Sequence, residues 1–344
     1  MTDHPRILVV GLGGIGGTIA GRLLARGYDV VGISTNPTIC TAIEQHGFRL
    51  EGHGGSRAVP GRAVASLEPQ DTFDLILLAT QPPQVEAASR TTVGHLSPSG
   101  ALVVLQNGLC EERIARIVGA SKVLGAVVSW GASMVAPGVY RRTSSGGFTV
   151  GSLENPDDSR VVSLARVLEA VGPVKRTRNL RGARWTKLAF NCAVSTLGTI
   201  GGDRLGPLMR HRFVRRLGME VMTEVVRVAG AESVRLEKLA GTISLSSLTL
   251  SGEAQSRAGL VGKHVLLMAA GLRYRRLRSS MLAAIERGRP PAVDFLNGEI
   301  VNRAVRYHID VPLNRRLVET VHGIADKRLS SSLFTLRSVY EDTR

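Results

Sequence analysis

Three polar side chains stand in single file within an otherwise apolar stretch, "ARWTKLAFNCAVS", residues 183–195. They are Lys187, Asn191 and Ser195, spaced four apart, so a helix carries them on one narrow stripe. Trp185, Leu188, Ala189, Phe190, Ala193 and Val194 supply the apolar surface around them. An ammonium on such a stripe can stabilise the negative charge that grows on a carbonyl oxygen during hydride transfer, and can donate the proton. The amide and the hydroxyl would hold polar groups of a substrate. The competing reading is a solvated lysine on an amphipathic helix. The apolar flanks weigh against it, and so does the scarcity of lysine, which makes up six of the 44 basic residues.

A second constellation lies near the start of the chain. "GLGGIG" sets Gly11, Gly13 and Gly16 in the spacing G-x-G-x-x-G, after an apolar run and before a helical one. The first glycine permits a tight turn, the second lets a pyrophosphate approach the backbone, and the third lets helix and strand pack closely. Phosphates would sit at the helix N-terminus, where free N–H groups and the dipole favour anions. The whole turn, Gly11, Leu12, Gly13, Gly14, Ile15 and Gly16, is expected to line the cofactor. At the end of the next strand an Asp or Glu would bind the ribose diol of NAD. Ser34, Thr35 and Asn36 stand there instead. None repels a 2′-phosphate and all can donate to one, so NADP(H) is the expected cofactor. Thr80, Gln81 and Asn107, which follow two later apolar runs, are placed on the cofactor side.

The elements that must position these groups can be read from the pattern. Residues 6–10 form a β-branched run, a helix follows to about Arg26, and "DVVGIS" (29–34) reads as a second strand, which makes a β-α-β unit. "FDLILLAT" (73–80), "ALVVLQN" (101–107) and "KVLGAVVS" (122–129) suit buried parallel strands. A hairpin is expected near 138–152, a helix over 158–172, then a polar connector to about residue 184. Helical patterns dominate beyond 183. The segment 231–260, rich in Ser and Leu, carries no readable pattern, and the closing "SVYEDTR" is expected to fray. The chain thus reads as an α/β Rossmann domain with a doubly wound, mainly parallel sheet over 1–180, followed by an all-α domain over 181–344. Such a pair implies a cleft between the domains, with Lys187 in it.

Composition narrows the class further. The 344 residues are 43% hydrophobic and 21% charged, which is globular. No apolar run reaches the length of a transmembrane helix. The first apolar run is short and passes into the glycine turn with no cleavage site, which argues against a signal peptide. Cys40, Cys110 and Cys192 are too scattered for a disulfide framework or a C-x-x-C motif, so a reducing cytoplasm is expected. The eight histidines form no metal-ligand pattern, and no metal is expected. The formal charge is +16. Its basic clusters, "RHRFVRRL" (210–217) and "RYRRLRSS" (273–280), lack a nucleic-acid motif. Neither nucleic acid nor a membrane is an expected partner. A basic surface that draws in anionic ligands is.

"W-T-K-L-A-F-N" is similar to a W-x-K-L-x-x-N signature. The glycine turn, "LQNGLC" (105–110), "SSMLAAIERGRP" (279–290) and "VDFLNGEIVNRAVRYHIDVPLN" (293–314) extend the likeness over nearly the whole chain. Together they resemble the ketopantoate reductase (2-dehydropantoate 2-reductase) family. The resemblance implies a Rossmann domain, a C-terminal helical domain of the 6-phosphogluconate dehydrogenase type, NADPH, and reduction of a small 2-oxo acid to the 2-hydroxy acid in pantothenate biosynthesis. It implies Lys187 as general acid, Asn107 near nicotinamide and substrate, and Asn191 and Asp294 on the substrate side. Ser280 would hold the substrate carboxylate. Plain alternatives are a turn residue for Asn107 and a helix cap for Ser280.

The departures bear on substrate and cofactor. Gln81 stands where the family has a lysine, and Thr35 where an arginine is common. Ala292 replaces a substrate-facing acid two residues before Asp294, and Ala284 replaces another frequent acid. A methyl group cannot accept a hydrogen bond from a substrate hydroxyl. A second enzyme reading therefore keeps the cofactor and Lys187 but takes another carbonyl or an imine. A non-catalytic nucleotide-binding protein is a third reading. A homodimer remains open as the oligomeric state.

Overall fold

Strand β1 (Ile7–Val10) is buried along its whole length, as expected of a central parallel strand covered on both faces. The computed structural model describes residues 5–52, 55–239, 243–250 and 257–343. The strands are β1, β2 (Val30–Ile33), β3 (Phe48–Gly52), β4 (Gly55–Val59), β5 (Arg62–Val64), β6 (Phe73–Leu78), β7 (Leu96–Val104), β8 (Val123–Val128), β9 (Gly131–Ala136), β10 (Val139–Ser144), β11 (Phe148–Ser152) and β12 (Val174–Arg176). Helices α1 (Gly14–Leu24), α2 (Pro37–His46), α3 (Val85–Thr92), α4 (Cys110–Val118) and α5 (Arg160–Glu169) connect them. The main sheet has eight strands in the order β12-β11-β8-β7-β6-β1-β2-β5. All its pairs run parallel except β8 with β11. This is the doubly wound α/β architecture.

Two strand expectations need correction. The hairpin expected over 138–152 does not form. β10 pairs with β9 and β3 in a separate four-stranded sheet, β4-β3-β10-β9, whereas β11 pairs with β8 and β12 in the main sheet. Gly146, at φ +151, lies between the two strands and lets the chain leave one sheet for the other. The connector over 173–184 also shrinks. It contains β12, and the following helix starts at Leu180. Of the closing residues expected to fray, 338–342 belong to a helix, Leu333–Asp342, and Arg344 lies outside the described residues.

The second body is all-helical among its described residues. It contains α6 (Leu180–Gly201), α7 (Leu205–Arg210), α8 (Arg212–Ala231), α9 (Arg257–Arg273), α10 (Ser280–Ile285), α11 (Asn297–Arg306), α12 (Pro312–Ala325) and α13 (Leu333–Asp342). The chain divides into one compact unit of residues 1–106 and 110–180 and another of 107–109 and 181–344. The second unit's core runs through Trp185, Leu188 and Cys192 of α6, Leu217, Val221 and Val225 of α8, and Leu317 and Val321 of α12. Spacings of three and four place these residues on one face of each helix.

Candidate active site

The glycine turn is built as its spacing requires. Gly11 has φ +95, a left-handed conformation that an L side chain resists, and a Cβ there would lie 2.9 Å from the Thr80 backbone nitrogen. A Cβ on Gly16 would sit 2.0 Å from the Gly11 carbonyl oxygen, so only glycine lets α1 start this close to the turn. Gly13 differs. It is exposed, and a Cβ there would meet nothing within 4 Å. The protein itself does not need glycine at this position, whereas a pyrophosphate approaching the backbone would. Gly13 is also the N-cap of α1 and offers no side-chain cap, so the first N–H groups of the helix are left for an anion. A dinucleotide phosphate therefore fits this turn. Leu12 turns its side chain inward, onto Gly32 of β2, and its carbonyl accepts from the Tyr140 hydroxyl at 3.1 Å. Gly14 lies against the Ala132 backbone, and Ile15 is half-buried.

At the end of β2 the three candidate side chains are not equivalent. Ser34 is buried, and its hydroxyl accepts from the Asn36 N–H at 3.2 Å. The Asn36 side-chain oxygen caps α2 by accepting from the Thr38 N–H at 3.0 Å. Thr35 is exposed and, with the Asn36 amide nitrogen, is left to meet a ribose or its phosphate. After β6, Thr80 is held from behind: the Gln106 side-chain nitrogen donates to both its hydroxyl and its carbonyl at 3.2 Å. Gln81 is exposed at the N-cap of a single 3₁₀ turn.

In the helical unit, Lys187 is half-buried on α6. Protein atoms crowd the ammonium, and burial lowers its pKa from 10.5 to about 8, with the nearby Arg184 guanidinium adding to the effect. One turn on, the side-chain nitrogen of Asn191 is buried without a hydrogen-bond partner. Buried amides are rarely left unpaired, and Asn191 shares this state with Trp185 Nε1 and Thr186 Oγ1 on the same helix, so it could take an acceptor from a ligand. Ser195 is half-buried, and its hydroxyl has no partner among the described residues. The stripe therefore offers an ammonium able to release its proton near neutrality, followed by two uncommitted donors.

The helix that carries them is pinned by polar contacts that the sequence reading missed. Asn297 is fully buried at the start of α11. It donates to the Cys192 carbonyl at 3.2 Å and to Asn314 Oδ1 at 2.9 Å, and it accepts from the Thr196 hydroxyl at 2.6 Å. Ser279 is the buried N-cap of α10, and its hydroxyl reaches the Ser195 carbonyl at 2.9 Å and Thr199 Oγ1 at 2.8 Å. Ser280 is the exposed first residue of that helix and is not the cap. An N-cap serine before an apolar run was the available signal, shared by two adjacent serines. Arg303 pairs with Glu299 at 2.7 Å and with Glu232 at 2.7 Å, with its guanidinium 5.6 Å from the Trp185 ring centre.

The short segment Asn107–Leu109 belongs to the helical unit. Gly108 has φ +95, and a Cβ there would lie 2.5 Å from the Phe295 carbonyl oxygen. This close approach brings exposed Asn107 beside the turn Ala292–Phe295, which carries Ala292 and Asp294. Asp294 is exposed, with Oδ1 2.9 Å from Nε2 of His322. That partner was not foreseen from the sequence. Among the described residues no cluster of His, Cys, Asp or Glu could hold a metal, and no helix is long and apolar enough to cross a membrane.

A glycine turn shaped for a dinucleotide phosphate suits a nicotinamide oxidoreductase. Comparison with known proteins agrees. Residues 7–155 match the family model "Ketopantoate reductase PanE/ApbA", and residues 179–325 match its C-terminal companion. A 2-dehydropantoate 2-reductase of Pyrococcus abyssi is 25% identical over 321 residues, 92% of this chain and 97% of that one. The crystal structure of a PanE/ApbA family ketopantoate reductase from Ralstonia eutropha is 28% identical, with a TM-score of 0.78 over 94% of this chain and 98% of that one. A D-mandelate dehydrogenase in ternary complex with NADH and anilino(oxo)acetate shares the fold, with a TM-score of 0.80 at 19% identity, covering 94% and 98% of the two chains. The chain belongs to the ketopantoate reductase family and is an oxidoreductase acting on a CH–OH/C=O group.

Proposed function

We propose that the protein uses NADPH to reduce a 2-oxo acid, ketopantoate or a related compound, to the 2-hydroxy acid. The observation that carries the proposal is Lys187, with its pKa lowered to about 8, in file with the unpaired Asn191 amide. NADPH, when bound, supplies the hydride. The chain's residues would do the rest. Gly13 and the first turn of α1 would receive the pyrophosphate, and Thr35 with the Asn36 amide would receive the 2′-phosphate. Lys187 would donate its proton to the carbonyl oxygen as charge develops there. Asn191, Ser195 and Asn107 would hold the substrate's polar groups, with Ser280 and Asp294 at its carboxylate and hydroxyl ends.

A second reading keeps this chemistry but changes the substrate to another carbonyl or an imine. Ala292 favours it, because alanine cannot accept from a substrate hydroxyl. The test is NADPH oxidation with a panel of 2-oxo acids that includes ketopantoate, run on the parent protein and on Lys187→Ala. The variant should retain NADPH binding and lose roughly two to four powers of ten in turnover, the usual scale for a general acid. Near-normal turnover would remove Lys187 from the mechanism.

A further inference from the structure

Helix α8 opens into a cavity of about 590 Å³ in the helical unit, walled also by α9 and α13. Its polar lining is cationic: Arg212 and Arg216 from α8, Arg337 from α13, and His211 and His264. None of the residues lining it is acidic. The nearby carboxylate of Glu220 holds Arg216 at 2.5 Å, and Arg215 is spent on the carbonyls of Met209 and Arg210. Arg212 and Arg337 are exposed and make no ion pair among the described residues.

Three features turn this crowding of like charge into a receptor. Arg337 lies 4.5 Å from the centre of the Phe213 ring, which holds the guanidinium fork in place. His264 is nine-tenths buried, and its Nδ1 accepts from Arg215 Nε at 3.3 Å. A guanidinium cannot accept, so the neutral ring carries its proton on Nε2, which has no partner among the described residues. Third, the N-cap of α8 is His211, which makes no side-chain cap, so the N–H groups of the helix's first turn remain unbonded by side chains beside the arginines. Burial and the surrounding arginines 215, 212 and 216 hold the His264 pKa down, as expected of a site short of negative charge.

We propose that this cavity binds a phosphorylated organic small molecule, with its phosphoryl group on Arg212, Arg337, His264 and the α8 N-terminus. Guanidinium forks match phosphate oxygens bidentately, so the donor set selects phosphoryl. The volume is in the range that holds a drug-sized ligand and far exceeds inorganic phosphate. Leu260 and the Tyr340 ring give the organic body an apolar wall. The site shares no residue with the glycine turn and stands independently of the reaction proposed above.

The test is calorimetric titration of the full chain, with NADPH in excess, against inorganic phosphate, ADP and a single-stranded oligonucleotide. ADP should bind more tightly than phosphate. Arg212→Ala and Arg337→Ala should each weaken ADP at least about tenfold, the scale of one charge-assisted hydrogen bond. Both side chains are exposed, so melting temperatures should stay near the parent's. Arg337→Lys should fall between, because it keeps the charge and loses the fork. Binding unchanged by both alanine variants would place ADP elsewhere and overturn the proposal. So would equal affinity for phosphate and ADP, the absence of any ADP binding, or binding of the oligonucleotide in preference to ADP.

Discussion

The general-acid role proposed for Lys187, joined to its lowered pKa, predicts the pH at which the reductase should fail. A general acid must carry its proton into the reaction, and kcat/KM reports the groups of the free enzyme. With a pKa of about 8, the protonated fraction is about 0.9 at pH 7 and about 0.1 at pH 9. The reductive kcat/KM should therefore fall roughly tenfold between those pH values, with a break near 8. The oxidative direction needs the neutral amine as base and should rise through the same pH. An ordinary lysine would hold its proton to about pH 10.4 and give a flat profile over this range. Stopped-flow NADPH oxidation at subsaturating substrate, in buffers of constant ionic strength, measures the profile. A reductive profile flat to pH 10, or a break at 8 that survives Lys187→Ala, would refute the assignment. Stability carries the opposite sign. The unfolded lysine titrates at 10.5 and the folded one near 8, so the fold pays up to about 3 kcal/mol for the charge below pH 8 and nothing above 10.5. Lys187→Met should accordingly melt higher than the parent at pH 7, with that gain fading as pH rises, while turnover collapses.

Gly13→Ala should leave melting unchanged and weaken NADPH at least about tenfold, because the added methyl meets only the incoming phosphates. Gly16→Ala should destabilise the fold by about 1–3 kcal/mol or more, because its methyl collides with the Gly11 carbonyl. Calorimetry and fluorescence titration separate the two. Thr35→Asp should shift preference from NADPH towards NADH, since a carboxylate repels the 2′-phosphate and accepts from the ribose diol. Equal or tighter NADH binding by the parent protein would defeat the NADP reading. Ala292→Glu should raise ketopantoate turnover by restoring an acceptor for its hydroxyl. Efficient ketopantoate turnover by the parent would remove the case for a different substrate.

The parts of the fold legible in the sequence were those where one local signal forces the outcome. β1, the glycine turn and α1 follow from a β-branched run and a turn that only glycine can make. α6 follows from its apolar periodicity. The four-stranded sheet was not legible. Its β3–β10 pairing joins residues about ninety positions apart, and the half-exposed strands 48–52 and 139–144 lack a continuous apolar run. The hairpin reading failed for the same reason: adjacency in sequence suggested a pairing that the sheets do not make. At the site, Lys187 and the glycines stood out by residue type and spacing. The pairing of Asp294 with His322, and the choice of Ser279 over Ser280 as cap, depend on which side chains meet in three dimensions.

Two asparagines show what coordinates add to residue type. Asn297 has its side chain engaged on both ends, by the Thr196 hydroxyl, the Cys192 carbonyl and Asn314. Asn191 stands on the same helix as two of those partners, yet its amide nitrogen is buried and unpaired. An unbonded amide adds no hydrogen bond to the fold and is free to serve a ligand, as proposed above. The two should respond oppositely to leucine. Asn297→Leu strands several buried polar groups at about 1–3 kcal/mol each and should lower the melting temperature. Asn191→Leu removes an orphan donor and should leave melting unchanged or raise it, while KM for the 2-oxo acid climbs by tenfold or more, the scale of a lost hydrogen bond to a charged group. NADPH affinity should be untouched. If Asn191→Leu instead melts several degrees below the parent and keeps its KM, the amide serves packing, and the stripe reduces to Lys187 alone.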